Sequence, residues 1–297
     1  MVIFPIKWYY FQCKTIGGII LKNLVKGFLI FILLFSLAAC GSESTSGSNE
    51  EKTNTKDEDK SSGKLLTKEE FEKMYTDPKK YKGSKVEFYA KVFVEPEKDD
   101  DGTYLQVYAN NNGERNTIVG IGDPDLDVKI DDVILVKGTV EDVFEGENAL
   151  GGTITAPAIK AESIEKSDYA TAFAPALKTV DVNKEIDQHG YIVKLNKIEV
   201  AESETRLYVK ITNNTDTNIS FYSFNAKVVS GNQQFEIQDN YEAGYPEVQS
   251  DILPGVESEG IVVFPAIPDS GTVKVLFEGS SENYELEFKP FEFEVTY

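Results

Sequence analysis

The sequence predicts an all-β protein: a small five-stranded barrel with one N-terminal helix, followed by a sandwich of about seven strands. Three observations predict it. From Lys85 onward, apolar and polar residues alternate in short runs, the period-2 signature of half-buried strands. Clusters rich in Asn, Asp and Gly separate those runs and supply the turns. Helix signals are confined to one stretch, Thr67 to Tyr75.

Residues 1–39 read as an address. Lys22 and Lys26 precede an apolar run from Phe28 to Leu37, and the run closes on Leu37-Ala38-Ala39-Cys40. A short basic segment, an apolar core and small residues before a cut are the parts of a secretory signal. A membrane-spanning helix is the competing reading. The stretch from Gly27 to Cys40 is about 14 residues, roughly 21 Å as a helix, against roughly 30 Å of hydrocarbon. It is too short to span. Leu37, Ala38, Ala39 and Cys40, followed by Gly41, resemble the lipobox of bacterial lipoproteins. That resemblance implies cleavage before Cys40 and a diacylglyceryl group on its thiol. It also implies a lipid-bilayer partner and a position on the extracytoplasmic face of the cell membrane. Met1 to Ile20 fits no part of such a signal, and translation is expected to start at position 21 from a TTG codon. That codon reads as Leu internally and as Met at initiation.

Beyond the expected cut lie 258 residues, carrying 26 basic and all 50 acidic side chains, a net charge of −24. A surface this acidic repels nucleic acid and other polyanions, whose binding depends on Lys and Arg displacing counterions. Cys40 is the one cysteine of this portion, which excludes a disulfide framework and a thiolate metal centre. Residues 40–64 comprise the lipidated cysteine and a tether. Gly41 to Lys64 has no apolar residue in 24, so it is expected to be disordered, with a mean reach of about 25–30 Å.

The first folded unit is expected over 65–167. Thr67-Lys68-Glu69-Glu70 is a capping box, Leu66 and Phe71 stand at the staple positions, and a helix over about 68–76 stops before Pro78. A first strand follows over Lys85 to Glu95, with Val86, Phe88, Ala90, Val92 and Val94 facing one way. Asp99 to Gly102 is a turn into a strand over Thr103 to Ala109, and Asn111-Asn112-Gly113 is a turn into Asn116 to Ile121. Val133 to Val140 is an apolar run in which Gly138 marks a bulge or bend, and Gly152 to Ile164 supplies the fifth strand. Tyr81-Lys82-Gly83, Ile130-Asp131-Asp132-Val133, Lys137-Gly138-Thr139-Val140 and Pro157-Ala158-Ile159 resemble phrases of the OB-fold, tRNA-anti-like domains of secreted bacterial proteins. The family name implies nucleic-acid binding. No basic stripe is present here, and that function is not carried over.

Residues 168–179 read as a linker rich in small residues, and 180–297 as the second unit. Strands are expected over Gly190 to Val200, Arg206 to Thr212 and Ile219 to Phe224, then in a hairpin between Val228 and Phe235. The last three are Ile261 to Phe264, Val273 to Phe277 and Tyr284 to Val295. The last changes phase between Phe288 and Phe291, which calls for a bulge or corner at Lys289-Pro290. About seven short alternating strands in this length suggest an immunoglobulin-like sandwich. Val209 to Asn214 and Leu253-Pro254-Gly255 with Gly260 to Phe264 resemble the telokin-like domain of unknown function in Gram-positive lipoproteins.

Catalytic signatures are missing. His189 is the only histidine, in a turn before a strand, and neither a nucleophile elbow nor a phosphate loop occurs. Glu285/Glu287 and Glu292/Glu294 alternate with apolar residues and read as solvated strand faces. Asp99 to Asp101 and Asp123 to Asp127 could offer oxygen ligands to calcium, but neither has the spacing of an EF-hand, and turn chemistry is the simpler reading. No cofactor and no metal are expected. The sequence therefore reads as a non-catalytic binding or interaction module of the cell envelope, with an unknown envelope protein or glycan as partner. The alternative is an accessory or sensor lipoprotein acting through protein–protein contact. The candidate contact patch is aromatic: Tyr89 and Phe93 on the first strand, Tyr104 and Tyr108 on the second, all expected to point outward from the barrel.

Overall fold

The computed structural model describes residues 63–147 and 153–297. The expected signal peptide, Leu37 to Cys40 and nearly all of the expected tether lie outside the described residues. The described chain is all-β, with seventeen strands and two short α-helices.

Helix α1 (Lys68–Met74) starts on the expected capping box: the Glu70 amide donates to Thr67 Oγ1 at 3.2 Å, and the Thr67 amide to Glu70 Oε2 at 2.9 Å. It ends two residues earlier than expected, because Tyr75 caps it, and a 3-10 turn follows at Pro78–Tyr81. Phe71 and Met74 are buried under the first sheet, where Phe71 meets Phe88 at 5.1 Å between ring centres. Tyr75 reaches past them to share a 2.8 Å hydrogen bond with Thr117.

That sheet contains β1 (Lys85–Val92), β2 (Glu97–Asp99), β3 (Gly102–Ala109), β4 (Asn116–Ile121), β5 (Val133–Glu147) and β6 (Thr153–Ser167). β1 pairs with β5 along most of its length and with β3 at its end, so the pairings run β1–β3–β4–β6–β5 and back to β1. Only β4 and β6 are parallel. The alternation fixes which side chains turn inward: Val86, Phe88, Ala90, Val92, Leu105, Val107 and Ala109 share one apolar cluster. β5 bends at a register shift between Lys137 and Gly138, as expected of that glycine. A Cβ on Gly138 would lie 2.5 Å from the Lys160 carbonyl oxygen. β5 runs seven residues beyond the strand expected there, while β6 keeps nearly its expected bounds, and the extra length of β5 pairs with the start of β6 as a two-stranded arm.

The stretch expected to be a linker is structured. Asp168 caps helix α2 (Tyr169–Phe173), and β7 (Ala176–Gln188) begins within it. β7 was not legible as a strand because it lies at the margin of its sheet, is mostly exposed, and changes register between Asp181 and Lys184.

The rest of the chain forms β8 (Tyr191–Ala201), β9 (Glu204–Asn213), β10 (Ile219–Phe221), β11 (Lys227–Ser230), β12 (Gln233–Glu236), β13 (Asp251–Ile252), β14 (Glu257–Pro265), β15 (Thr272–Phe277), β16 (Gly279–Ser281) and β17 (Phe291–Thr296). With β7 that is eleven strands, against about seven expected. They form sheets β14-β9-β8-β7, β12-β11-β15-β17 and β13-β10-β16, which contribute to one apolar core. Leu195, Leu207 and Val209 meet Phe277, Phe291 and Phe293 there. Tyr284 to Pro290 is turn and irregular chain, contrary to the expected continuous strand. The change of phase falls where expected, at Lys289-Pro290, but it separates irregular chain from β17 rather than two halves of one strand.

The 237–250 loop lies along the margin of β14. Ile261 donates to the Pro246 carbonyl at 2.8 Å, and Gln238 donates to that of Val263 at 2.9 Å. Gly260 permits this approach, because a Cβ there would stand 2.4 Å from the Val248 nitrogen.

Candidate interaction face

The outer face of the first sheet is ordered in rows by its register. Lys91 opposes Tyr108, and Tyr108 opposes Asn116, across β1, β3 and β4. In the next row Phe93 donates its amide to the Gln106 carbonyl, and Gln106 opposes Ile118. Phe93 lies just past the end of β1 and crosses between the rows to stack on Tyr108, with ring centres 3.8 Å apart and planes 6° from parallel. Phe93, Tyr108 and Tyr89 are each half-buried, so part of each ring remains open to solvent.

Tyr104 does not join them. It is only 7% exposed and packs with Ile118 and Ala156, against which Phe144 lies. The arm formed by the ends of β5 and β6 supplies Phe144 and Ala156 and covers this end of the face. Burial first, and the neighbouring Asp99 and Asp101 carboxylates second, push the Tyr104 hydroxyl above its ordinary pKa. The expected patch of four aromatics is thus a patch of three.

The other end of the face is bordered by the 237–250 loop. Lys91 Nζ donates to the Glu242 carbonyl at 3.3 Å and lies 3.7 Å from Asp131 Oδ1. Asn111 Nδ2 donates to Glu242 Oε2 at 3.2 Å. Beyond this border a recess of about 580 Å³ lies between α1, β1 and α2, lined by Leu66, Phe71, Phe88, Arg115 and Phe173 among others. Arg115 is paired there with Glu72.

A second polar cluster sits on the outer face of the β14-β9-β8-β7 sheet. Register places Glu199 opposite Arg206 and Lys197 opposite Tyr208. Arg206, one of only two arginines in the chain, is 1% exposed. Its Nε and Nη2 both reach Glu199 Oε2 at 3.0 Å, and its Nη1 reaches Glu204 Oε1 at 2.7 Å. Nη1 also donates to the Ala174 carbonyl at 2.8 Å and faces the Tyr245 hydroxyl at 3.4 Å. Tyr245 donates to Glu204 Oε1 at 2.5 Å, and Asn240 Nδ2 donates to Glu204 Oε2 at 2.9 Å.

Burial raises the Glu199 carboxyl, but donors from Lys197, Tyr208 and Arg206 outweigh it and hold the group below its ordinary pKa. Burial and the Glu199 carboxylate push the Tyr208 hydroxyl up to about 12, so it stays a donor at neutral pH. Period-2 alternation turns Arg206 and Tyr208 away from Leu207 and Val209. Glu204 is a near neighbour on β9, but the other partners come from β8, the cap of α2 and the loop, which no local spacing connects.

The remaining sequence candidates are structural. His189 sits at the exposed β7–β8 corner with φ +58°, its ring edge-on to Phe288 at 5.8 Å. Asp99 Oδ1 accepts the Asp101 and Gly102 amides, and Asp123 Oδ1 accepts the Asp125 amide. Both aspartates serve turns, and among the described residues no group of three or more His, Cys, Asp or Glu is placed to hold a metal. Glu292 and Glu294 lie on the exposed face of β17, both near Lys274, while Glu285 and Glu287 lie in the irregular chain before it. No described helix is long and apolar enough to cross a membrane. Cys40 and the lipobox residues Leu37, Ala38 and Ala39 lie outside the described residues.

No family model matches this chain, and no curated protein matches it. Among solved structures it is similar to a functionally unknown protein from Listeria monocytogenes EGD-e, at 8% identity and a TM-score of 0.31. The match covers 42% of this chain and 86% of that one. A likeness of that size carries no argument about fold or function.

Proposed function

We propose that this chain is a lipid-anchored extracytoplasmic protein that acts as a non-catalytic binding module of the cell envelope. The observation that carries the binding role is the half-open aromatic face formed by Phe93, Tyr108 and Tyr89. Stacked rings offer flat apolar surface to sugar rings or to a partner's apolar side chains, and neither contact needs positive charge. The anchor rests on the residues around Cys40. The ring of strand pairings, with β4 and β6 parallel, supports reading the first strand set as an OB-type barrel. The two four-stranded sheets around a common core support reading the second as an immunoglobulin-like sandwich.

The test of the binding role is a glycan and peptide array probed with the Cys40→Ala chain. Selective capture of sugars or apolar peptides supports the reading, and turnover of any of them would replace it with an enzymatic one. The anchor has its own test. Labelled fatty acid should enter the wild-type protein and not the Cys40→Ala variant, and label in both would defeat the assignment.

One observation favours the alternative, an accessory or sensor lipoprotein acting by protein–protein contact. Leu253, Val256 and Tyr284 are exposed apolar residues in loops that leave the same end of the β13-β10-β16 sheet, since Ile252 and Ser281 both pair with Ile219. Loss of partner capture by Tyr284→Ala, with array binding intact, would favour this second reading.

A further inference from the structure

Two segments bridge the first strand set to the second. One is α2, which follows β6 directly and whose Phe173 and Ala172 line the recess with Leu66, Phe71 and Phe88. The other is the 237–250 loop, whose Glu242 accepts hydrogen bonds from both Lys91 and Asn111. Both bridges lead to one guanidinium. Arg206 Nη1 holds the carbonyl of Ala174, the residue that caps α2. The same nitrogen binds Glu204, whose two oxygens accept Asn240 and Tyr245 from the loop. The aromatic rings repeat the connection, since Tyr169 of α2 meets Tyr245 of the loop edge-on at 6.1 Å.

We propose that Arg206 is the latch that positions both bridges, and through the loop sets the border of the aromatic face. The guanidinium suits this task because it is planar, permanently charged and rich in donors, so it satisfies acceptors from three segments at once. Its place on a central strand matters too. β9 is paired on both sides and is held by the core beneath it, so the latch has a fixed base while its partners are a short helix and a loop. Held there, the loop keeps Glu242 on Lys91, directly across from Tyr108. Released, it would leave Lys91 and Asn111 without Glu242 at the border of the face. This inference concerns positioning and stands whether or not the face binds a ligand.

Hydrogen exchange followed by mass spectrometry on the full chain tests it. Arg206→Met keeps the length of the side chain and removes its donors. Residues 169–175 and 239–248 should then exchange at least tenfold faster, while Tyr191 to Leu195 and Lys85 to Val92 keep their protection. Protection lost evenly over the chain would make Arg206 a general stabiliser and overturn the proposal, and so would no change. If Arg206→Met does not fold, Tyr245→Phe combined with Asn240→Ala detaches only the loop. Faster exchange confined to 239–248 then supports the latch, and unchanged exchange there overturns it.

Discussion

The outer faces of the two large sheets look alike in sequence and differ in the fold. Each alternates core residues with outward polar or aromatic ones: Tyr89 and Lys91 on β1 with Phe93 just past its end, and Arg206, Tyr208 and Lys210 on β9. On the first sheet the outward rings remain half-open, bordered by the β5–β6 arm at one end and by Glu242 at the other. On the second, Ala174 at the end of α2 and Tyr245 of the 237–250 loop close over Arg206 and leave it only 1% exposed, while Tyr208 and Lys210 farther along stay half-buried. Alternation determines which side of a sheet a residue takes. What covers that side is determined by segments outside the strand, and there the same pattern yields an open surface in one place and a sealed polar cluster in the other.

The largest effect that would sharpen this contrast is at Arg206. Arg206→Met leaves Glu199 and Glu204 in a covered site with fewer donors, and removing one partner of a buried ion pair costs about 3–5 kcal/mol. A urea titration should show that loss; a change under about 1 kcal/mol would mean that the face is not sealed. The next effect separates two tyrosines of β3 that the sequence treats alike. Tyr104→Ala should cost about 2–3 kcal/mol, because it empties a covered site beside Ile118 and Ala156. Tyr108→Ala should cost about 0.5–1.5 kcal/mol, the worth of a ring pair. Equal losses in thermal unfolding would erase the distinction between them.

The smallest effect is acid sensitivity. Glu199 binds its proton less readily in the folded chain than in the unfolded one, so unfolding takes up a proton where the two values differ. Its contribution is complete above the ordinary carboxylate value and is lost as the pH falls through the lowered folded one. Unfolding midpoints of wild type and Glu199→Gln should therefore converge as the pH falls from 5 to 3. Parallel curves would show that Glu199 gains nothing from the cluster.

What the sequence disclosed follows the same division. The capping box of α1 and the strand Asn116–Ile121 were legible because their signals lie between near neighbours, and the bend at Gly138 because the glycine itself interrupts an apolar run. β7 was hidden because a strand at the margin of a sheet buries little and need not alternate cleanly. Tyr284, Leu286 and Phe288 alternate as a strand does, yet no sheet receives them. Of the four aromatics, Tyr89, Phe93 and Tyr108 are half-buried, and Tyr104 is withdrawn by an arm in which β5 extends past the apolar run that announced it. The Arg206 cluster was illegible because its members come from four separate stretches between Ala174 and Tyr245.

If the open face is the contact surface and the Arg206 face is scaffold, substitutions on the open face should change binding before they change stability. The most direct test compares array binding of the Cys40→Ala chain with and without Phe93→Ala and Tyr108→Ala, alongside thermal unfolding of both. The account predicts at least a tenfold loss of binding with a shift of only a few degrees in the unfolding temperature. Undiminished binding by the double variant would contradict it and move the contact surface elsewhere on the molecule.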